Sequence, residues 1–294
     1  MDLSLPSYAK INWTLRVLGR RNDGFHELFT VFQTVSLHDT LRFEQSDELR
    51  LTCNDPGIPA DDSNLILKAA RVLQSATGHG AGARIHLEKR IPSPGGLGGG
   101  SSNAAVALIG LWRLWELRLD MNDLGTLAVD LGSDVPFFLT GGTAVGTGRG
   151  EVIEPTTDIR ESNVLVVTPD VRVSTPEAFA GLGAPVLTKE DLNRNLTVCR
   201  NEANSSELLH QALKNDLEPS VFARFPEIER VKRTLLELGA VNAAMSGSGA
   251  SVFAIFDKQE TRQAAINALA SERDWRKFAV STVSRSEYRD ALGI

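Results

Sequence analysis

Residues 8–15, YAKINWTL, alternate strictly: Ala9, Ile11, Trp13 and Leu15 fall on one face, Tyr8, Lys10, Asn12 and Thr14 on the other. A period of two predicts a half-buried strand. GRRNDGFHEL follows, with Asn22-Asp23-Gly24 as its turn signal. TVFQTVSL and DTLRFEQ read as two further strands. Residues 63–76, SNLILKAARVLQSA, switch to helical spacing, capped by Ser63 or Asn64, with Leu65, Ala69, Val72, Leu73 and Ala76 on the inner face. ARIHLEKRI alternates again and runs into a glycine-rich loop. Beyond the loop, Ala104, Ala105, Leu108, Leu111, Trp112 and Trp115 predict a helix buried on one side, with Ser101 or Ser102 as its cap.

The second half has its own order. NVLVVTP, 163–169, is a compact apolar strand. Helical spacing fills roughly 189–238, ending in a segment that opens on Pro226 and stops at Gly239. AVNAAM, an SGSG turn, ASVFAIF, the helical ETRQAAINALAS and a last strand, KFAVSTVS, complete it. Apart from the extra helices, the order is β-α-β-β-α-β, the ferredoxin-like pattern. The fold class expected is α+β with two domains, 1–155 and 156–294, divided where EPTTDIRES turns polar.

Composition removes several classes of function. A hydrophobic content of 42% with 23% charged residues is that of an ordinary globular protein. The net charge of −6 leaves no cationic surplus to neutralise phosphates, which argues against nucleic-acid or anionic-membrane partners. Cys53 and Cys199 form no CxxC, and no two histidines share an HxH or HxxxH spacing. That excludes a disulfide framework and argues against a His/Cys metal site. The first ten residues lack the basic and apolar regions of a signal peptide, and no apolar run approaches the roughly 18 residues of a membrane span. A cytoplasmic protein is expected.

The glycine-rich loop is Pro92-Ser93-Pro94-Gly95-Gly96-Leu97-Gly98-Gly99-Gly100-Ser101-Ser102. It is not a Walker A loop, because Ser101 stands where that motif has lysine. Nor is it GxGxxG, since Gly96-Leu97-Gly98 reaches Ser101 and Gly98-Gly99-Gly100 reaches Asn103. Yet strand, glycines and helix start in that order suit an anion, which the free N–H groups and the helix dipole attract. A tightly packed strand-to-helix turn is the alternative. The hydroxyl of Ser101 or Ser102 suits a phosphate oxygen or a magnesium ion.

Lys10 and Asn12 share the polar face of the first strand, about 7 Å apart. Asp134, between a helix end and Pro136-Phe137-Phe138, is either a capping group or a partly buried functional carboxylate. If buried it needs a cation, for which Lys10 is a candidate.

YAKINWTLRVLGRRNDGFHEL, KRIPSPGGLGGGSSNAA, LGSDVPFFLTGGTAVGTGRGE, VSTPEAF, NDLE and MSGSGASVFAIF together resemble the GHMP family of small-molecule kinases, in family order and over nearly the whole chain. AKIN, DGFHEL and SDVPFF are similar to the branch acting on a cytidine-diphosphate-linked polyol of the non-mevalonate isoprenoid pathway. The resemblance implies an N-terminal domain like the second domain of ribosomal protein S5, a C-terminal ferredoxin-like domain, and a site in the cleft between them. It implies ATP held by Asn64 and by Pro92 through Ser102, with magnesium expected. It makes Asp134 the general base that takes the proton of the substrate's 2-hydroxyl, kept ionised by Lys10 and assisted by Asn12. It gives the cytosine to His26, between Phe25 and Phe179, with Thr175 on the same ligand. Two positions depart from the family: Phe25 stands where tyrosine is usual, and Pro94 where glycine or alanine is. A kinase for mevalonate, homoserine or a sugar would leave Phe25, His26 and Phe179 unexplained. A regulator of the same fold would lack Lys10 or Asp134.

Overall fold

The computed structural model describes residues 3–203 and 213–294; part of the predicted helical stretch 189–238 therefore lies outside the described residues. The first half runs β1 (Leu3–Arg20), β2 (His26–Ser46), β3 (Arg50–Cys53), α1 (Leu65–Thr77), β4 (Gly82–Glu88), α2 (Gly99–Leu114), α3 (Met121–Leu131), α4 (Phe137–Thr140), β5 (Thr143–Gly148) and β6 (Val152–Pro155). The second runs β7 (Val164–Pro169), α5 (Thr175–Phe179), α6 (Lys189–Ala203), β8 (Lys214–Asn215), α7 (Glu218–Arg224), α8 (Pro226–Glu237), β9 (Asn242–Met245), β10 (Val252–Ile255), α9 (Gln259–Ala268), β11 (Trp275–Val280) and α10 (Arg285–Leu292).

The larger sheet is built on β1 and β2, which pair antiparallel from Leu3–Phe43 to Arg20–His26. TVFQTVSL and DTLRFEQ are thus one strand and not two. Register shifts at Tyr8/Ala9, Asn12/Thr14 and Val17/Gly19 bend this ribbon, as extra residues in a ladder do. The order is β3-β4-β2-β1-β8, with β5 pairing β2 and β6. Lys10 and Asn12 are buried, so the strand predicted to be half-buried is covered on both faces.

α2 packs on β1, β2, α1 and α3, and every residue from Ser102 to Leu111 is buried. The prediction of a helix buried on one side falls short because the small residues among them let neighbours close in all round. A Cβ on Gly110 would lie 2.5 Å from the Phe43 ring. On α1 the inner face is Ile66, Leu67, Ala69, Ala70 and Leu73, which leaves the predicted Val72 half-buried and Ala76 exposed.

The smaller sheet has the order β11-β7-β10-β9, all neighbours antiparallel. Numbered within that half, this is 4-1-3-2, the ferredoxin-like arrangement that β-α-β-β-α-β implied.

The two halves interlock. β8 lies parallel to β1 through Thr14–Lys214 and Leu15–Asn215. KFAVSTVS stops being strand at Val280, and the chain returns to the first half as α10, opened by a Ser284/Glu287 capping box. Tyr288 and Leu292 complete the core formed by α1, α2 and α3, where the Tyr288 hydroxyl donates to the Phe138 carbonyl at 2.6 Å.

Candidate active site

A cavity of about 830 Å³ opens where the two sheets meet, and residues of both halves line it. The glycine loop forms its floor. Gly96 and Gly98 have φ of +71° and +69°, the left-handed region that glycine alone enters without strain. Space excludes a side chain as well. A Cβ on Gly96 would lie 2.0 Å from the Ser246 carbonyl, and one on Gly98 would lie 2.8 Å from the Phe138 ring and 3.0 Å from Lys10 Cγ. The loop is clamped by the second half: Ser246 Oγ donates to the Gly96 carbonyl at 3.0 Å, and the Ser251 N–H donates to that of Gly95 at 3.1 Å. From the first half, the Lys10 N–H donates to the Leu97 carbonyl at 2.9 Å.

Neither Ser101 nor Ser102 caps α2. The helix starts earlier, with Gly98 as its cap and no side-chain cap bond, because the left-handed glycine turns the chain directly into the helix. The first intrahelical bond runs from the Ser102 N–H to the Gly98 carbonyl at 2.8 Å. The N–H groups of Gly99, Gly100 and Ser101 precede it in residues that line the cavity, and a free helix start of this kind attracts phosphate. The two serines also part company. Ser101 lines the cavity, whereas Ser102 is fully buried, with its Oγ 2.8 Å from Ser7 Oγ. Among the described residues no group of three or more His, Cys, Asp or Glu side chains is placed to hold a metal.

A buried ion pair, absent from the sequence reading, anchors the loop's entrance. Lys89 Nζ lies 2.9 Å from Asp39 Oδ2, at 5% and 0% exposure. Asp39 Oδ1 accepts the N–H groups of Arg90 and Ile91 at 2.7 and 2.8 Å. Burial pulls the Lys89 ammonium below its ordinary range, and the charge of Asp39 opposes that fall. Asp39→Ala strands the ammonium and two N–H groups, so it is expected to cost about 3–5 kcal/mol of folding stability. Urea unfolding checks this; a loss under 1 kcal/mol, the scale of an exposed pair, would show the pair to be dispensable.

Above the loop stand Lys10 and Asp134. Lys10 is 3% exposed, and its ammonium lies 3.4 Å from Asp134 Oδ2 and donates to Asn12 Oδ1 at 2.7 Å. The Asn12 amide is fixed in turn, donating to Thr30 Oγ1 at 2.7 Å, and Thr30 donates to the Thr14 carbonyl at 2.8 Å. Lys10 Nζ also sits over the Phe32 ring, 5.5 Å from its centre. Asp134 is 33% exposed and faces the cavity.

At the other end of the cavity the His26 and Phe179 rings stack, centres 5.0 Å apart and 28° between planes. Phe25 is 54% exposed, and its ring meets the Arg149 guanidinium at 5.1 Å. Thr175 opens α5, its Oγ1 3.4 Å from Ser248 Oγ. Burial, followed by the charge of Arg20, lowers the His26 pKa from its ordinary value, which favours the neutral ring. An NMR titration of the ring is therefore expected to give a midpoint below 6.5. A midpoint above it would mean that an opposing interaction outweighs burial and the charge of Arg20.

Asn64 stands apart from the cavity lining. Its Oδ1 caps α1 by accepting the Ile66 N–H at 2.9 Å, and its Nδ2 donates to the Pro59 carbonyl at 2.6 Å. Its neighbour Leu65 reaches the cavity instead. Arg149, in a stretch that reads as a glycine turn, lines the cavity too.

The GHMP kinases N terminal domain family matches residues 64–142, and the GHMP kinases C terminal family matches residues 193–273. The chain belongs to the GHMP kinase family and is an ATP-dependent small-molecule kinase. Several relatives at 36–42% identity over most of its length bear the name 4-diphosphocytidyl-2-C-methyl-D-erythritol kinase. The protein of that name from Thermodesulfovibrio yellowstonii is 38% identical, over 90% of this chain and 93% of its own. That from Ralstonia nicotianae is 42% identical, over 92% and 91%. A crystal structure of 4-(cytidine 5'-diphospho)-2C-methyl-D-erythritol kinase superimposes with a TM-score of 0.75 at 35% identity, covering 96% of this chain and 99% of that one. A homoserine kinase from Cytophaga hutchinsonii shares the fold at 20% identity, with a TM-score of 0.71 over 97% of this chain and 96% of its own. No helix among the described residues is long and apolar enough to cross a membrane.

Proposed function

We propose that the chain transfers the γ-phosphate of ATP to the 2-hydroxyl of 4-diphosphocytidyl-2-C-methyl-D-erythritol, a step of non-mevalonate isoprenoid precursor synthesis. The observation that carries the chemistry is one cavity in which Lys10 and Asp134 lie 3.4 Å apart above the open N-terminus of α2. The relatives' names carry the choice of acceptor.

Phosphoryl transfer asks a protein for alignment and charge stabilisation more than for covalent chemistry. The N–H groups of Gly99, Gly100 and Ser101 would receive phosphate oxygens, with the positive end of the α2 dipole behind them. Asp134 takes the proton from the acceptor hydroxyl as the new O–P bond forms and the bond from the γ-phosphorus to the β-phosphate oxygen breaks, so that ADP leaves. Lys10 holds the carboxylate in place through its charge, and Asn12 and Thr30 hold Lys10. Magnesium would neutralise the phosphate charge, and Ser101, which lines the cavity, is the serine that would contact it. The neutral His26 ring offers one nitrogen as donor and the other as acceptor, a match for a cytosine edge. Phe25 and Phe179 supply aromatic faces for the ring.

The test is ADP release with ATP and magnesium, offering the cytidine-diphosphate substrate beside mevalonate and homoserine. Release with the cytidine substrate alone supports the reading. Release with another of the alcohols, or with none, refutes it.

A further inference from the structure

We infer that Arg149 is a specificity-determining residue that binds the diphosphate of the acceptor substrate; this rests on the reading of that substrate as a cytidine-diphosphate-linked polyol. The geometry lies in the turn between β5 and β6. A Cβ on Gly150 would lie 3.9 Å from Asp134 Oδ1 and 3.7 Å from the Phe32 ring, so Gly150 borders the base. Its neighbour Arg149 puts its guanidinium carbon 5.1 Å from the centre of the Phe25 ring, at the nucleobase end. Two successive residues therefore span the interval between the acid and the aromatic pocket.

A diphosphate that joins cytidine to the polyol has to cross the same interval when its hydroxyl is at Asp134 and its base at His26. Its negative charge requires a cation there. Among the described lining residues, Lys10 and Arg149 are the lysine and arginine side chains, and Lys10 is committed to Asp134 and Asn12. Arg149 is engaged less tightly. Its Nε stands 3.5 Å from Glu151 Oε1, and its side chain is 34% exposed. A guanidinium presents five N–H donors in a planar fork that matches phosphate oxygens, so the long contact at Nε and the nearby charge of Asp23 still leave donors for a ligand. The Phe25 ring beneath it limits where that fork can go. Arg149 is thus placed to read the linkage, as His26 is placed to read the base.

The experiment compares Arg149→Met and Arg149→Lys with the unsubstituted protein, measuring CDP and cytidine binding by calorimetry and the KM for acceptor and ATP in turnover. Arg149→Met removes the charge and keeps the bulk over Phe25. It is expected to weaken CDP by about 10- to 100-fold, the range for a charge-assisted hydrogen bond, and to raise the acceptor KM alike. Cytidine affinity and the KM for ATP are expected to hold. Arg149→Lys retains much of the preference for CDP, a rescue that does not depend on how well the methionine variant folds. Equal weakening of CDP and cytidine would mean that Arg149 only props Phe25, and overturns the proposal. Unchanged CDP binding overturns it as well. If the unsubstituted protein binds neither CDP nor cytidine, the substrate reading falls and takes this one with it. If it phosphorylates the cytidine substrate while Arg149→Met behaves identically, this inference alone fails.

Discussion

Asp134→Asn is expected to lower kcat for the acceptor by about 10²–10⁴-fold, the range a positioned general base supplies. The amide keeps the shape of the carboxylate and cannot take the proton. Because the N–H groups at the start of α2 lie outside this substitution, ATP affinity is expected to persist. Single-turnover ADP formation beside calorimetric ATP titration separates the two effects. The same variant leaves Lys10, 3% exposed, with the Asn12 oxygen and no nearby carboxylate, so its thermal midpoint should fall as well. A variant that binds ATP and turns over at the original rate would remove Asp134 from the chemistry and leave positioning alone to explain transfer.

Gly96→Ala is expected to be as damaging by another route. The left-handed backbone there costs a non-glycine residue about 1–2 kcal/mol. The greater obstacle is the Ser246 carbonyl, 2.0 Å from where the new Cβ would stand. That oxygen is main chain, in the turn whose Ser246 hydroxyl and Ser251 N–H grip the loop, so the loop has to move away from the second half. A shift near 1 Å at a phosphate-binding loop costs on the order of 10²-fold in turnover. The expected pattern is a raised KM for ATP, a depressed kcat and a lower thermal midpoint, with CDP binding retained. Gly100→Ala is the comparison within the loop: its Cβ would meet nothing closer than Leu65 at 3.7 Å and its φ is unexceptional, so a smaller loss is expected even though its N–H belongs to the phosphate site. Equal loss in both variants would shift the explanation from the clash to general flexibility of the loop.

What the sequence revealed depended on how local the signal was. The ferredoxin-like half was readable because its strands and helices are short, separately periodic and punctuated by Gly239 and the SGSG turn. β2 reads as two strands divided at His38, while in three dimensions the ladder runs through His38 and Asp39 turns inward to meet Lys89. α10 escaped notice because its helix carries few apolar residues, Tyr288 and Leu292 being the ones it buries. At the site, Lys10 is readable as a candidate cation for Asp134, yet no spacing rule brings residues 124 positions apart to 3.4 Å. The serines misled as caps, since the usual preference for Ser at a helix start ignores a left-handed glycine one turn earlier. The family resemblance makes Asn64 an adenine contact; its local role, visible in the structure, is to cap α1. Arg149 was hidden among glycines. Its ring contact is with Phe25, a neighbour in space that is remote along the chain.

The return of α10 bears on how such a protein can be inherited. Phe138 and the Tyr288 that donates to it are 150 residues apart, and the core they share is finished from the far side of the ferredoxin-like half. A crossover between genes of two lineages, falling near residue 155, would therefore seat one parent's tyrosine and leucine in the other parent's cavity. β8 would likewise meet a foreign β1. Chimeras of that kind begin with a packing fault in the half that carries Lys10 and Asp134, even when each parent is sound. The segment that lineages can trade without repacking is the interlocked whole.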